Sequence, residues 1–163
     1  MPTRTLYFIR HAKAEEPSFA KKDFTRNLIT KGKERAQRVA LELAGKLRID
    51  EQTLFISSTA NRAVQTAYIF ADALGYAHKS IQLESDIYEA HPHDILRVIN
   101  AIPTHIETVL LFGHNPGLSD LVYYLTDRSV ELKTSNVAVI ELPANFDFAH
   151  LSANSSDLIK VIE

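Results

Sequence analysis

The stretch TLYFIRHAKAE, residues 5–15, decides how this chain is read. Leu6, Tyr7, Phe8 and Ile9 form an unbroken apolar run of strand length, the pattern of a strand buried on both faces. Arg10 and His11 follow directly, so they stand where that strand leaves the core. In open α/β sheets, that end of a strand is where ligands bind.

Further apolar runs lie at 54–56, 109–112 and 137–142, and the segments between them have helical period. Ala36, Val39, Ala40, Leu43 and Leu47 line one face of a predicted helix capped by Thr30. Ala63, Val64, Ala67, Phe70, Ala71 and Leu74 line another that closes at Gly75. Shorter helices are predicted after Pro92, through Ile95, Leu96 and Ile99, and after Pro116, through Leu118, Leu121, Val122 and Leu125. Strand alternating with helix predicts an α/β fold, a mostly parallel sheet covered on both faces. Near the end, DLIKVIE (157–163) is expected to form an edge strand beside NVAVIEL (136–142), with HLSANSSD (150–157) as a connecting loop.

At 163 residues, 45% apolar and 23% charged, the chain suits one domain spanning 1–163, and no repeat or linker interrupts it. A net charge of −2 supplies no field for nucleic acid or anionic lipid, so neither is expected as a partner. Any bound anion must be held by local groups. The absence of cysteine excludes a disulfide framework, a thiolate metal site and a thiol nucleophile. Four consecutive apolar residues near the N-terminus are too few for a signal-peptide core, and no run approaches a membrane span, so the expectation is a soluble cytoplasmic protein.

Three predicted strands end in polar residues of related character: LYFI runs into RHA, LFI into SSTANRAVQT, and VLLF into GHNPG. If the strands are parallel neighbours, Arg10, His11, Arg62 and His114 converge on one rim. Two guanidiniums and two imidazoles suit a phosphoryl group, whose oxygens match the guanidinium fork. No glycine-rich nucleotide cradle is present among the five glycines, so side chains must hold the phosphate. His11, beside a fixed cation, is the leading nucleophile. Each residue alone also has an ordinary reading: Arg10 and His11 as a surface pair, Arg62 as a solvated cation in a first helical turn, His114 as a turn histidine.

Together RHA, SSTANRAVQTA and GHNPG resemble the histidine phosphatase superfamily, the phosphoglycerate mutase-like fold, over the chain from the first strand to about Asn136. The short length, RHAKAE and RNLITKGKERA (26–36) are similar to the SixA-type phosphohistidine phosphatases. The resemblance implies a three-layer α/β/α sandwich and a transient phosphohistidine on His11, with Arg10, Arg62 and His114 around the transferred group. It also implies hydrolysis by water without metal or organic cofactor. The implied partner is a phosphohistidine-bearing protein, such as a histidine phosphotransfer domain in signal transduction. Glu89, in LESDIYEAHPHD (83–94), matches the region where wider relatives carry a general acid; Glu84 and Asp86 are its neighbours. SixA-like members often lack that acid. Arg26 is either a phosphate-side contact or part of a salt bridge.

Three other readings compete. A mutase or small-ester phosphatase of the same superfamily would enclose its substrate with added segments, whereas the connections here read as short, leaving an open rim. A phosphoryl-binding module would need the arginines but no nucleophile. A metal-dependent hydrolase would use His91, His93 and Asp94, against their ordinary placement in the first turn of a helix started by Pro92.

Overall fold

Alternation along the first strand sets the architecture. In the computed structural model, which describes residues 3–163, β1 (Thr5–Arg10) turns Leu6 and Phe8 to one core and Ile9 to another. The strands β2 (Thr53–Ser58), β3 (Gln82–Glu84), β4 (Thr108–Gly113), β5 (Val137–Glu141) and β6 (Asp157–Ile162) complete one sheet in the order β3-β2-β4-β1-β5-β6. β1 to β4 are mutually parallel, and β5 and β6 close the sheet antiparallel.

The helices α1 (Thr30–Ala44) and α2 (Asn61–Leu74) cover one face. Their Ala36, Val39, Leu43, Ala67 and Phe70 meet Phe55, Leu110 and Phe112 of the sheet. On the other face lie α3 (Pro92–Asn100) and α4 (Gly117–Thr126), whose Ile95, Ile99, Leu118 and Leu121 meet Phe8, Ile56 and Leu111. The result is the three-layer α/β/α sandwich, with two cores separated by the sheet. Phe8, Phe55 and Phe112 are fully buried, each contributing about 1.5–3 kcal/mol by transfer from water.

Expected and observed elements differ at three places. Thr30 does not cap α1: Ile29 holds the cap position, with its N–H bonded to the Lys13 carbonyl, and Thr30 is the first helical residue. β3 is a short, largely exposed strand whose Gln82, Leu83 and Glu84 carry no apolar run to announce it. The connection from β1 to α1, residues 11–29, is long, and it is pinned by bridges Ala14–Leu28 and Ser18–Lys21 and by a 3-10 turn at Asp23–Thr25. The rim is therefore partly covered there, against the expectation of short connections. That excursion is locked to α1 at Gly32, where even a methyl group would overlap the Lys13 carbonyl. Elsewhere α2 closes at Gly75 in the left-handed region, and β6 pairs with β5 at the sheet edge.

Candidate active site

In the register of β1 on β4, Arg10 lies opposite Gly113, and the His11 N–H donates to the Gly113 carbonyl at 3.0 Å. The chain after β1 is thus fastened to the end of β4, and β2 flanks β4 on its other side. The His11 ring donates from Nδ1 to the Ala12 carbonyl at 2.8 Å. A carbonyl only accepts, so Nδ1 carries the proton and Nε2 keeps its lone pair. The Ala12 N–H in turn donates to Thr66 Oγ1 on α2 at 2.9 Å.

His114 follows β4 and packs against His11, ring centroids 5.1 Å apart. Its Nε2 lies 2.8 Å from Ser58 Oγ, the last residue of β2. Ser58 Oγ also accepts the Ala60 N–H, and His114 Nδ1 is buried without a partner. Asn115 holds this turn, donating to the Leu132 carbonyl and accepting from Ser119 at the start of α4. Arg10 Nη1 donates to the same Leu132 carbonyl at 2.9 Å.

Arg62, in the first turn of α2, is only 5% exposed despite its charge. Its guanidinium reaches over to the 3-10 turn, donating from Nη1 to the Asp23 carbonyl at 2.9 Å and from Nη2 to Asp23 Oδ2 at 3.0 Å. The Tyr88 hydroxyl donates to the same Oδ2 at 2.6 Å, while Arg26 pairs with Oδ1 at 2.9 Å. Tyr88 also sets an edge against His114 and lies beneath the Arg62 guanidinium. Asp23 therefore orients both arginines, which makes Arg26 part of an ion pair and leaves its charge near His11.

Burial, with the charges of Arg62, Arg10 and Arg26, lowers the His11 pKa to about 4, against the opposing pull of the Ala12 carbonyl. Burial and the neighbouring His11 lower His114 to about 3. Both imidazoles are neutral at pH 7. The Tyr88 hydroxyl and the arginines hold Asp23 ionised, down to about 2, and burial with the Asp23 charge pushes the Tyr88 phenol up to about 12. Among the described residues, the buried side-chain nitrogens and oxygens without a partner are Arg10 Nε, Arg62 Nε, His114 Nδ1, Ser135 Oγ and Asn136 Nδ2. Ser135 and Asn136 are bonded through their backbone to Arg10 and His11, so all five atoms belong to this one rim. Unpaired buried polar groups are costly and rare, and their concentration here marks a place that binds a polar ligand.

Glu89 is exposed, sits in the left-handed region at φ 51°, and lines a cavity of about 330 Å³ together with His114. Glu84 accepts from Gln82, and Asp86 is exposed. His91 is the N-cap of α3, its Nδ1 accepting the His93 N–H, and Asp94 completes the capping box. Among the described residues no group of three or more His, Cys, Asp or Glu is arranged to hold a metal ion. Asp23, Tyr88, Ser58 and Thr66 were not singled out from the sequence. Ser58 and Thr66 lie within SSTANRAVQTA and Tyr88 within LESDIYEAHPHD, whereas Asp23 lies outside every motif.

A chain of this fold, with histidines and arginines gathered at the parallel strand ends, defines a class that handles phosphoryl groups. The model of the histidine phosphatase superfamily (branch 1) matches residues 6–95, and the chain belongs to that superfamily. It is similar to a structure from Agrobacterium tumefaciens proposed to be the phosphohistidine phosphatase SixA, with 27% identity, a TM-score of 0.81, and coverage of 100% of this chain and 99% of that one. It shares its fold with the protein histidine phosphatase SixA in complex with tungstate, at 21% identity and TM-score 0.80 over 98% of this chain and 96% of that one. An uncharacterized chloroplastic protein of Arabidopsis thaliana is 26% identical over 151 residues, covering 88% of this chain and 68% of that protein. Among the described residues no helix is long and apolar enough to cross a membrane.

Proposed function

We propose that this phosphatase removes the phosphoryl group from phosphohistidine on a protein, through a covalent intermediate on His11. The observation that carries the reading is the Nδ1–H to Ala12 hydrogen bond, which leaves a neutral imidazole with its Nε2 lone pair near the buried Arg62 and the half-buried Arg10. In the first step Nε2 forms a bond to phosphorus while the bond from phosphorus to the leaving imidazole nitrogen breaks. Arg10, Arg62 and His114 supply donors to the equatorial oxygens, where charge develops. Water then attacks phosphorus, its proton passes to solvent, and orthophosphate leaves with the electron pair of the P–N bond returned to His11. The residues present accomplish both steps without a cofactor.

The choice of leaving group follows from the acids at hand. Asp23 is ionised, Tyr88 holds its proton tightly, and both imidazoles are neutral, so none of them delivers a proton readily. A phosphohistidine ring that takes a proton from solvent on its other nitrogen leaves as neutral imidazole without an enzyme acid, whereas an alkoxide demands a proton in the transition state. One observation favours a second reading, a small-ester phosphatase: Glu89 shares a cavity with His114 in a backbone conformation that strains a non-glycine residue. The test is to mix enzyme with ³²P-phosphohistidine protein and quench in base. An acid-labile, base-stable label on His11, lost in His11→Ala, supports the proposal; labelling that persists in His11→Ala overturns it.

A further inference from the structure

We propose that Thr66 is a positioning residue for the nucleophile, fixing the tautomer and direction of the His11 ring through the backbone on the two sides of the Ala12 Cα. This rests on His11 being the nucleophile.

Thr66 lies on α2, one turn after Arg62, and is completely buried. Its Oγ1 donates to the Arg62 carbonyl at 2.7 Å and accepts the Ala12 N–H at 2.9 Å. Both directions are forced, because a carbonyl only accepts and an amide N–H only donates. The other side of the chain at Ala12 is its carbonyl, which holds His11 Nδ1–H. One hydroxyl thus connects the turn that carries Arg62 to the residue that sets the His11 ring.

A helical threonine donating to the carbonyl four residues back is common and local. Thr126 on α4 does this, donating to the Val122 carbonyl at 2.7 Å and accepting only from nearby Arg128. Thr66 differs in that its second bond spans 54 residues and ends beside the nucleophile. Without the hydroxyl, the buried Ala12 N–H has no partner, and its peptide is free to rotate toward another. That peptide carries the His11 carbonyl, and turning it changes the torsions on either side, including φ of Ala12, so that the following peptide is re-aimed and its Ala12 carbonyl leaves Nδ1. The ring is then free to place its proton on Nε2, where it blocks attack.

Thr66→Val keeps shape and removes the hydroxyl; Thr66→Ser restores it; Thr126→Val controls for loss of a buried helical hydroxyl. Three quantities are read in each: imidazole ¹⁵N shifts of His11, assigned against His11→Asn; single-turnover phosphorylation by phosphoramidate with its concentration dependence; and melting temperature. Expected for Thr66→Val is a loss of the pure Nδ1–H signature and a fall in phosphorylation rate on the order of 10- to 10²-fold, with half-saturation little changed. Thr66→Ser recovers both, and Thr126→Val lowers only the melting temperature. A wild-type tautomer and rate in Thr66→Val, or an equal rate loss in Thr126→Val, overturns the proposal. If Thr66→Val does not fold, Thr66→Ala is read by the same two criteria. Failure of wild-type protein to label at His11 sinks the functional reading instead, while the ¹⁵N shifts still judge the role of Thr66.

Discussion

The sheet has two halves that share their cores but not their chemistry. β1 to β4 run parallel, and the segments leaving β1, β2 and β4 bury His11, Arg62 and His114. β5 and β6 form an antiparallel edge ribbon whose Glu141, Asp157 and Lys160 are exposed. Val137 and Val139 join one core and Ala138 and Ile140 the other, so β5 is as well packed as the strands beside it, while β6 buries only Ile162. What separates the halves is where strands lead. Parallel strands pass into helices at one edge and bring several chain segments together there, whereas an antiparallel ribbon only turns back. Buried polar atoms without partners accumulate at the first kind of edge, at some expense in stability. Activity and stability should therefore be separable by mutation.

The largest effect is expected at the proposed nucleophile: His11→Ala should lower turnover on the order of 10³-fold or more and abolish the covalent label, with little change in melting temperature. Next, Arg62→Ala or His114→Ala should lower turnover on the order of 10²-fold, and wild-type rates in either would break the contrast at the rim. In the ribbon, Ile140→Ala should cost about 2–5 kcal/mol in urea unfolding, while turnover per folded molecule is unchanged. A smaller effect concerns pH. His11 and His114 have folded pKa values of about 4 and about 3, below the ordinary 6.5, so between these limits the unfolded chain binds more protons. Their stabilising contribution is complete above pH 6.5 and is lost as pH falls toward 4 and then 3; the urea midpoint of His11→Asn should fall less steeply over that window. The acid limb of kcat/KM should likewise lie well below 6.5. The smallest effect is expected for Glu89→Gln, which should barely change the phosphohistidine rate; loss of efficient alkyl-phosphate hydrolysis in that variant would instead favour the small-ester reading.

The parallel half was legible because its strands are short, apolar and buried on both faces. LYFI and VLLF announce themselves, and the residues that end them are the ones now found together. Arg62 was legible from its place just beyond the second strand, in line with the polar ends of the other two, although its partner was not. Asp23 lies in a segment without period, and its bonds to Arg62 and Tyr88 span 39 and 65 residues. Such pairings depend on how the sheet brings distant loops together, which no local pattern encodes. β3 escaped for a related reason, since an exposed three-residue strand has no alternation to read. HPHD had two readings in sequence, and the backbone resolves the role of His91 in favour of the helix cap.

Gly32 carries a consequence for swapping parts between relatives. The backbone of α1 and that of the residue just beyond His11 and Ala12 are in direct contact, with no side chain between them to absorb a mismatch. A loop transplanted from another phosphatase would have to arrive with its own helix, or meet a glycine at the same height. Residues 11–29 and α1 are therefore exchanged as one block, and chimaeras that cut between Lys13 and Gly32 should misplace His11 even when every side chain of the rim is retained.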